Sequence, residues 1–182
     1  MLKKVALTCL LMTICLYAVA LLASDDFILC KSKYALCTTA KCTPVPGKEG
    51  TVSCACDVKT GYSAGQQACQ TAKETNTGQL KSRYYPVKYY AVCSNSRQWA
   101  WCLDRPCTVD KDNPSKASCA CTLVKDQGDY VIVTDSYNDS TCTTDVWSSA
   151  TVQQISQITD FLKSKDQLKP FPIKVVNSQD QK

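Results

Sequence analysis

Ser53-Cys54-Ala55-Cys56 is repeated as Ser118-Cys119-Ala120-Cys121, 65 residues further along the chain. The two cysteines before the first tetrapeptide, Cys37 and Cys42, also recur 65 residues later as Cys102 and Cys107. Each copy has one further cysteine before this group and one after it. The two sets are Cys30, Cys37, Cys42, Cys54, Cys56, Cys69 and Cys93, Cys102, Cys107, Cys119, Cys121, Cys142. Neighbouring residues repeat with the cysteines, since Tyr34-Ala35-Leu36-Cys37 parallels Trp99-Ala100-Trp101-Cys102. The duplicated unit is therefore predicted to be a small fold and not only a cysteine spacing.

The segments around the cysteines predict short β-strands. They are rich in aromatic and β-branched residues and are bounded by turn sequences such as 44–50 and 110–115. Because side chains at i and i+2 share one face of a strand, Cys54 and Cys56 are expected to point the same way. Two disulfides are then expected to leave one strand towards the same layer. After the last cysteine, apolar residues at helical spacing predict a helix over 151–165.

The N-terminus predicts export. A basic start, Met1-Leu2-Lys3-Lys4, precedes an uncharged run from Val5 to Ala23, which is the layout of a secretory signal. Retention of residues 5–23 as a membrane anchor is the alternative, because the run approaches the length that spans a bilayer. An exported chain with 12 patterned cysteines outside that segment predicts a disulfide framework in a secreted or periplasmic protein.

These features give a mainly β, small, disulfide-rich fold class with two duplicated six-cysteine modules and a C-terminal helix. The predicted organisation is a signal peptide or uncleaved anchor (1–23), a first module (24–72), a linker (73–88), a second module (89–145), and a C-terminal helix and tail (146–182). Units this small bury too little apolar surface to fold on a core alone, so the bridges are expected to decide whether they fold.

The spacing of the first copy, C-x6-C-x4-C-x11-C-x-C-x12-C, resembles the epidermal-growth-factor-like module. Gly61-Tyr62 is similar to that family's Gly-aromatic element, and the second copy fits looser limits. The resemblance implies pairing of the first cysteine with the third, the second with the fourth and the fifth with the sixth. The implied bridges are Cys30–Cys42, Cys37–Cys54, Cys56–Cys69, Cys93–Cys107, Cys102–Cys119 and Cys121–Cys142. The residues themselves leave other pairings open, and a different duplicated β-fold, with both halves sharing one sheet, is the favoured alternative.

The sequence predicts no enzyme, no cofactor and no metal site. It has no histidine, which removes the commonest general base and the mixed Cys/His zinc sites. The loop carboxylates are not spaced to form a pair: Glu49, Asp57, Asp104, Asp126 and Asp129. Asp110-Lys111-Asp112-Asn113 lacks the glycine of a calcium loop and is interpreted as a solvated turn. The net charge is +5, and the sequence has no run of five or six like charges. Nucleic acid is therefore not an expected partner.

The predicted function is binding, by an exported, disulfide-stabilised recognition protein without catalytic activity. The expected partner is a protein or glycan outside the cytoplasm, with membrane contact only if the N-terminal segment is retained. Loops 43–53, 108–118 and 122–141 differ between the copies and are candidate contact regions. Five residues form the candidate binding surface if they are exposed: Tyr85, Tyr89, Arg97, Trp99 and Trp101. Burial in the core is the favoured interpretation of the Trp99/Trp101 face. Three alternatives remain open: a secreted protease inhibitor acting through loop 43–53, a structural envelope or surface component, and a hydrolase that uses carboxylates.

Overall fold

A computed structural model of the chain describes residues 27–85, 89–125, 127–168, 171 and 173–177. The predicted signal or anchor (1–23) lies outside the described residues, as does the loop carboxylate Asp126. The fold is mainly β with a C-terminal helix, as predicted. Its elements are β1 Ile28–Leu36, β2 Lys41–Pro44, β3 Thr51–Gly65, α1 Ala72–Thr75, β4 Gln79–Lys81, β5 Tyr89–Cys93, β6 Trp99–Trp101, β7 Pro106–Val109, β8 Lys116–Val124, β9 Tyr130–Val133, β10 Val146–Trp147, α2 Val152–Lys163 and β11 Lys174–Val175.

One eight-stranded sheet contains strands of both copies, in agreement with the alternative of a shared sheet. Its main path runs β10-β2-β3-β8-β7-β4, with β1 also paired to β3 and β6 to β8. A second sheet of three strands has the order β11-β5-β9. Among the described helices, neither is long and apolar enough to cross a membrane.

The two copies meet through a local two-fold axis between β3 and β8. Cys54 lies opposite its own equivalent, Cys119, in the antiparallel ladder. Hydrogen bonds repeat about this point: the Val58 amide donates to the Ser115 carbonyl at 2.8 Å, and the Leu123 amide donates to the Gly50 carbonyl at 2.9 Å. The duplicated sequence therefore folds as an intramolecular dimer with a self-complementary interface.

Each copy also gives a short strand to the other copy. β4 follows the first copy but pairs with β7 of the second, and β10 follows the second copy but pairs with β2 of the first. The residues just beyond these strands match, since the Ser82 amide donates to the Arg105 carbonyl and the Ser148 amide to the Ala40 carbonyl. Residues 79–81, assigned to a linker from the sequence, thus belong to the shared sheet.

The disulfides are nested within each copy. The bridges are Cys30–Cys69, Cys37–Cys56, Cys42–Cys54, Cys93–Cys142, Cys102–Cys121 and Cys107–Cys119. Cys54 and Cys56 are both buried on one face of β3 and send two bridges towards the same layer, as expected. The pairing implied by the growth-factor-like resemblance is wrong for all six bridges.

The strand register explains the nesting. Both β1 and β2 pair with β3, and Cys42 lies directly opposite Cys54 while Cys30 lies opposite Ser63. Cys30 and Cys42 are therefore held about nine ladder positions apart, which is roughly 30 Å along the strand. A bridge between them would require the sheet to come apart, because bridged Cα atoms lie within about 7 Å.

The C-terminal helix forms as predicted. α2 begins after Thr151, whose side chain accepts a hydrogen bond from the Gln154 amide, while the Gln154 side chain accepts one from the Thr151 amide. This capping box fixes the first turn of the helix. Its apolar stripe is buried against the sheets through Ile155, Ile158 and Leu162.

Candidate ligand-binding cavity

A cavity of about 310 Å³ lies beneath α2, where the segments that follow β4 and β10 pass over the bridged cysteines. We call it the central cavity. Both copies contribute to its wall, and equivalent pairs such as Cys37 with Cys102 and Ser82 with Ser148 face it. The apolar part of the wall is formed by Phe27, Leu103, Val131, Val133, Ile155 and Ile158. Its volume is at the lower end of the range for small-molecule sites, roughly 300–1,000 Å³.

The cavity exists because the two copies differ in side-chain size just after the strands that they exchange. Arg83 and Tyr84 follow the exchanged strand of the first copy, whereas the smaller Ser149 and Ala150 follow that of the second. These two small residues leave room under α2, a helix that follows only the second copy. Their backbone is fixed by β9, since the Val131 amide donates to the Ala150 carbonyl at 2.9 Å. The space is therefore bounded by regular structure and not by loops alone.

A buried ion pair closes one side of the cavity. Arg83 Nη1 lies 3.2 Å from Asp104 Oδ1, and the two side chains are 3% and 6% exposed. The guanidinium also donates to the Ser63 hydroxyl and to the carbonyls of Gln67 and Ile28. Asp104 Oδ2 accepts hydrogen bonds from the Gln66 and Gln67 amides at 2.6 and 3.2 Å. This network joins β3 of the first copy, the exchanged segment and a loop of the second copy.

The network requires glycine at position 65, because a larger residue there would collide with the side chains of the ion pair. A Cβ at this position would lie 2.4 Å from Asp104 Oδ1 and 2.7 Å from Arg83 Nη1. Neither neighbour can retreat without breaking the ion pair. Asp104 itself has a φ of 55°, a left-handed conformation that aspartate tolerates better than most residues.

The cavity wall carries no net charge at neutral pH. Burial lowers the pKa of the Arg83 guanidinium, and the nearby Asp104 carboxylate opposes this shift. Arginine nevertheless stays protonated in proteins, so Arg83 is charged. Burial raises the pKa of Tyr84 to about 12, with Thr159 opposing the shift and Tyr90 adding to it. The Tyr84 hydroxyl has no hydrogen bond of normal geometry among the described residues. Tyr84 is therefore a neutral phenol at physiological pH.

We expect Tyr84→Phe to remove part of the alkaline instability of the protein. The folded protein holds the Tyr84 proton up to about pH 12, whereas an unfolded chain releases it near pH 10. The stability that this group contributes is complete below pH 10 and is lost as pH rises from 10 to 12. Between pH 9 and pH 11.5, the free energy of unfolding measured with urea should fall by up to about 2 kcal/mol less in Tyr84→Phe than in wild type. Tyr137→Phe, at an exposed tyrosine, is the control and should follow wild type; equal losses in both variants would contradict the assignment.

The residues predicted as a binding surface do not form one surface. Trp99 is 2% exposed and stacks on Tyr130, so its placement in a surface is wrong, because the end of β8 and β9 cover it. Trp101 is half-buried and lines the central cavity. Tyr85 and Tyr89 are both 41% exposed, and Arg97 is exposed in a loop at a shallow depression with Lys125.

The candidate loops also lie apart. The tip of 43–53 contacts Leu123 through Gly50, and the tip of 108–118 contacts Val58 through Ser115. These contacts are at opposite ends of the β3–β8 ladder, roughly 25 Å from each other. The tip of loop 43–53 therefore neighbours the start of loop 122–141, whereas the tip of loop 108–118 is distant from both, although Ser53 and Ser118 at the bases of the two hairpins are hydrogen-bonded at 2.7 Å. One small ligand cannot touch all three.

The described residues contain no cluster suited to metal or acid–base chemistry beyond three groups of sulfur atoms. Those groups are Cys37/Cys102/Cys121, Cys37/Cys107/Cys119 and Cys42/Cys54/Cys102. Every sulfur in them is in a disulfide, and a metal needs the thiolate.

The loop carboxylates are separated from one another. Asp57 bonds Lys116, Asp104 bonds Arg83, and Glu49 and Asp129 are exposed in different loops. Asp110 accepts hydrogen bonds from the Asp112 and Asn113 amides, which makes the calcium-like sequence a closed turn.

Arg83, Ser148 and Ala150 are not among the residues predicted from the sequence. A signal was available, because Ser82 and Ser148 continue the internal match past the last cysteine of each copy, at an offset of 66. Following that match would have shown that the copies diverge next at Arg83/Ser149 and Tyr84/Ala150. Searches of protein-family models, curated proteins and solved structures found no match to this chain.

Proposed function

We propose that this chain is an exported binding protein without catalytic activity and that the central cavity is its binding site. The observation that carries the proposal is a half-open, mostly apolar space, bounded by β6, β9 and α2 and by segments of the first copy that flank its strands. Concave, mostly apolar sites with a few polar groups are the usual form of small-molecule sites. Six disulfides fit an oxidising compartment, which supports export.

The absence of catalysis is supported by the chemistry of the wall. Its ionisable side chains are Arg83, which is paired, and Tyr84, which is held neutral. Neither can act as a general base, because the guanidinium stays protonated and donates to the Ser63 hydroxyl, and the hydroxyl of Ser149 already donates to the Val131 carbonyl. General acid–base catalysis needs a group that exchanges protons near neutral pH, and the described wall offers none.

Native mass spectrometry of the oxidised protein tests the proposal. We expect the protein, incubated with a small-molecule extract of extracellular fluid, to retain an added mass of one ligand. Gln157→Trp, at an exposed position on the cavity wall, should abolish the added mass. Val152→Trp, on another face of the same helix and 37% exposed, should leave it unchanged. An added mass that survives Gln157→Trp would place the ligand elsewhere.

A macromolecular partner is a second candidate, supported by the exposure of Tyr85 and Tyr89. Exposed tyrosines are common anchors at protein interfaces, because they offer a large apolar ring and a hydroxyl. Loss of a captured protein or glycan on replacing both by serine, with Gln157→Trp still active, would favour this candidate over the cavity.

Loop 43–53 gives less support to protease inhibition. The Lys48 amide donates to the Val45 carbonyl, and the Thr51 amide donates to the Lys48 carbonyl, so the tip consists of two tight turns. An inhibitor that occupies a protease cleft presents an extended segment whose backbone groups are free to pair. The turns use those groups internally.

A further inference from the structure

We infer that the central cavity takes a neutral ring compound that carries one or two hydroxyl or carbonyl groups. The inference rests on the proposed function and names the ligand class of the same cavity. It follows from three properties of the wall: its charge, its apolar faces and the position of its polar atoms.

The charge of the wall excludes ions. The positive charge of Arg83 is already matched by Asp104. The other three hydrogen-bond partners of the guanidinium are protein groups that the fold fixes: the Ser63 hydroxyl and the carbonyls of Gln67 and Ile28. An anion would have to displace a carboxylate held by two backbone amides. A cation would meet no unpaired negative group on the wall. Either ion would lose hydration without compensation, at a cost of several kcal/mol.

The apolar faces fit a ring. Val131 and Ile155 belong to one buried cluster with Ala150, and Ile158 belongs to another with Phe27 and Leu103. Tyr84 adds aromatic surface between these two clusters, and Trp101 adds it beside the first. A flat apolar body would contact both clusters together, whereas a flexible chain would lose more conformational entropy on entering a space of this size.

The polar atoms define where the ligand's hydroxyl or carbonyl would lie. The Ser148 hydroxyl is on the wall and makes no hydrogen bond to another described residue, although its backbone amide is bonded to Ala40. Gln157 is exposed on the same wall. By contrast, the hydroxyls of Ser82 and Ser149 are occupied by backbone carbonyls. A ligand hydroxyl or carbonyl would therefore be recognised by Ser148 and Gln157.

Calorimetric titration of the oxidised protein at pH 7 with three probes that share a naphthalene ring tests the inference. The probes are 2-naphthol, which is neutral, 2-naphthoate, which is anionic, and 2-naphthylmethylammonium, which is cationic. We expect 2-naphthol to bind at least tenfold more tightly than either ion. Gln157→Trp and Ile158→Trp should weaken 2-naphthol binding at least tenfold, and Val152→Trp should not change it. Gln157→Trp changes an exposed residue, so it keeps the test valid if Ile158→Trp does not fold.

The possible results separate this inference from the proposed function. Tighter binding of either ion, lost in Gln157→Trp, would overturn the neutral-ligand inference and leave the binding function in place. Binding of 2-naphthol that Gln157→Trp does not weaken would overturn the assignment to the cavity. Failure of all three probes to bind would also overturn the inference, and the native mass measurement would then decide whether the binding function stands.

Discussion

Asp104→Asn is expected to lower the free energy of unfolding by about 3 kcal/mol, because it leaves the Arg83 guanidinium charged and unpaired inside the protein. Removing one partner of a buried ion pair typically costs about 3–5 kcal/mol. Asparagine keeps the size of the side chain and tolerates the left-handed backbone at this position. Its NH2 group replaces one of the two acceptor oxygens, so the change removes the charge together with an acceptor for Arg83 or for the Gln66 and Gln67 amides. Urea unfolding at pH 7 under non-reducing conditions measures the effect.

Asp57→Asn is the matched control. Asp57 also bonds a basic residue, Lys116 at 2.6 Å, but that pair is 38% and 56% exposed. Exposed pairs contribute about 0–1 kcal/mol, so this variant should remain close to wild type. Equal losses in the two variants would show that the Arg83–Asp104 pair is not buried in solution.

Removing the outer bridge of the first copy is expected to lower the free energy of unfolding more than removing the equivalent bridge of the second copy. Cys30–Cys69 closes a loop with a sequence separation of 39, for which the loop-closure model gives about 4 kcal/mol. It also tethers residues 66–69, whose backbone supplies three hydrogen bonds to the Arg83–Asp104 pair. Cys30→Ala with Cys69→Ala should therefore lose that network as well as the loop constraint, as measured by urea unfolding.

The second copy provides the control, with Cys93→Ala and Cys142→Ala. That bridge has a similar separation of 49, but serine stands where the first copy has Arg83. The second pair of substitutions should cost about 4 kcal/mol. Combining Asp104→Asn with each pair should give a coupling of at least about 1 kcal/mol with the first bridge only. Coupling of the same size with both bridges would contradict the role of residues 66–69.

The sequence predicted those features that depend on local periodicity. The C-x-C spacing predicted the shared face of Cys54 and Cys56, and the apolar spacing after the last cysteine predicted α2 within a few residues. The pairing of the cysteines could not be predicted this way, because it depends on which strands adjoin β3. Six cysteines allow 15 pairings, and spacing alone favours none of them.

The candidate site depends on contacts that are distant in the sequence. β4 pairs with β7 of the other copy, and this pairing alone brings Arg83 to Asp104. Trp99 and Trp101 are two residues apart in one strand, yet Trp99 is in the core and Trp101 lines the cavity. Their difference comes from Tyr130, which lies inside the second module between Cys121 and Cys142, and from α2, which follows that module.

The central claim is that the ligand lies between the two copies, and amide chemical-shift mapping of the ¹⁵N-labelled protein with 2-naphthol tests it most directly. The account predicts perturbations at residues 82–84 and 148–150 and along the buried face of α2 at Ile155 and Ile158. Perturbations confined to the hairpin tips at 45–50 and 110–115, or to Tyr85 and Tyr89, would contradict it.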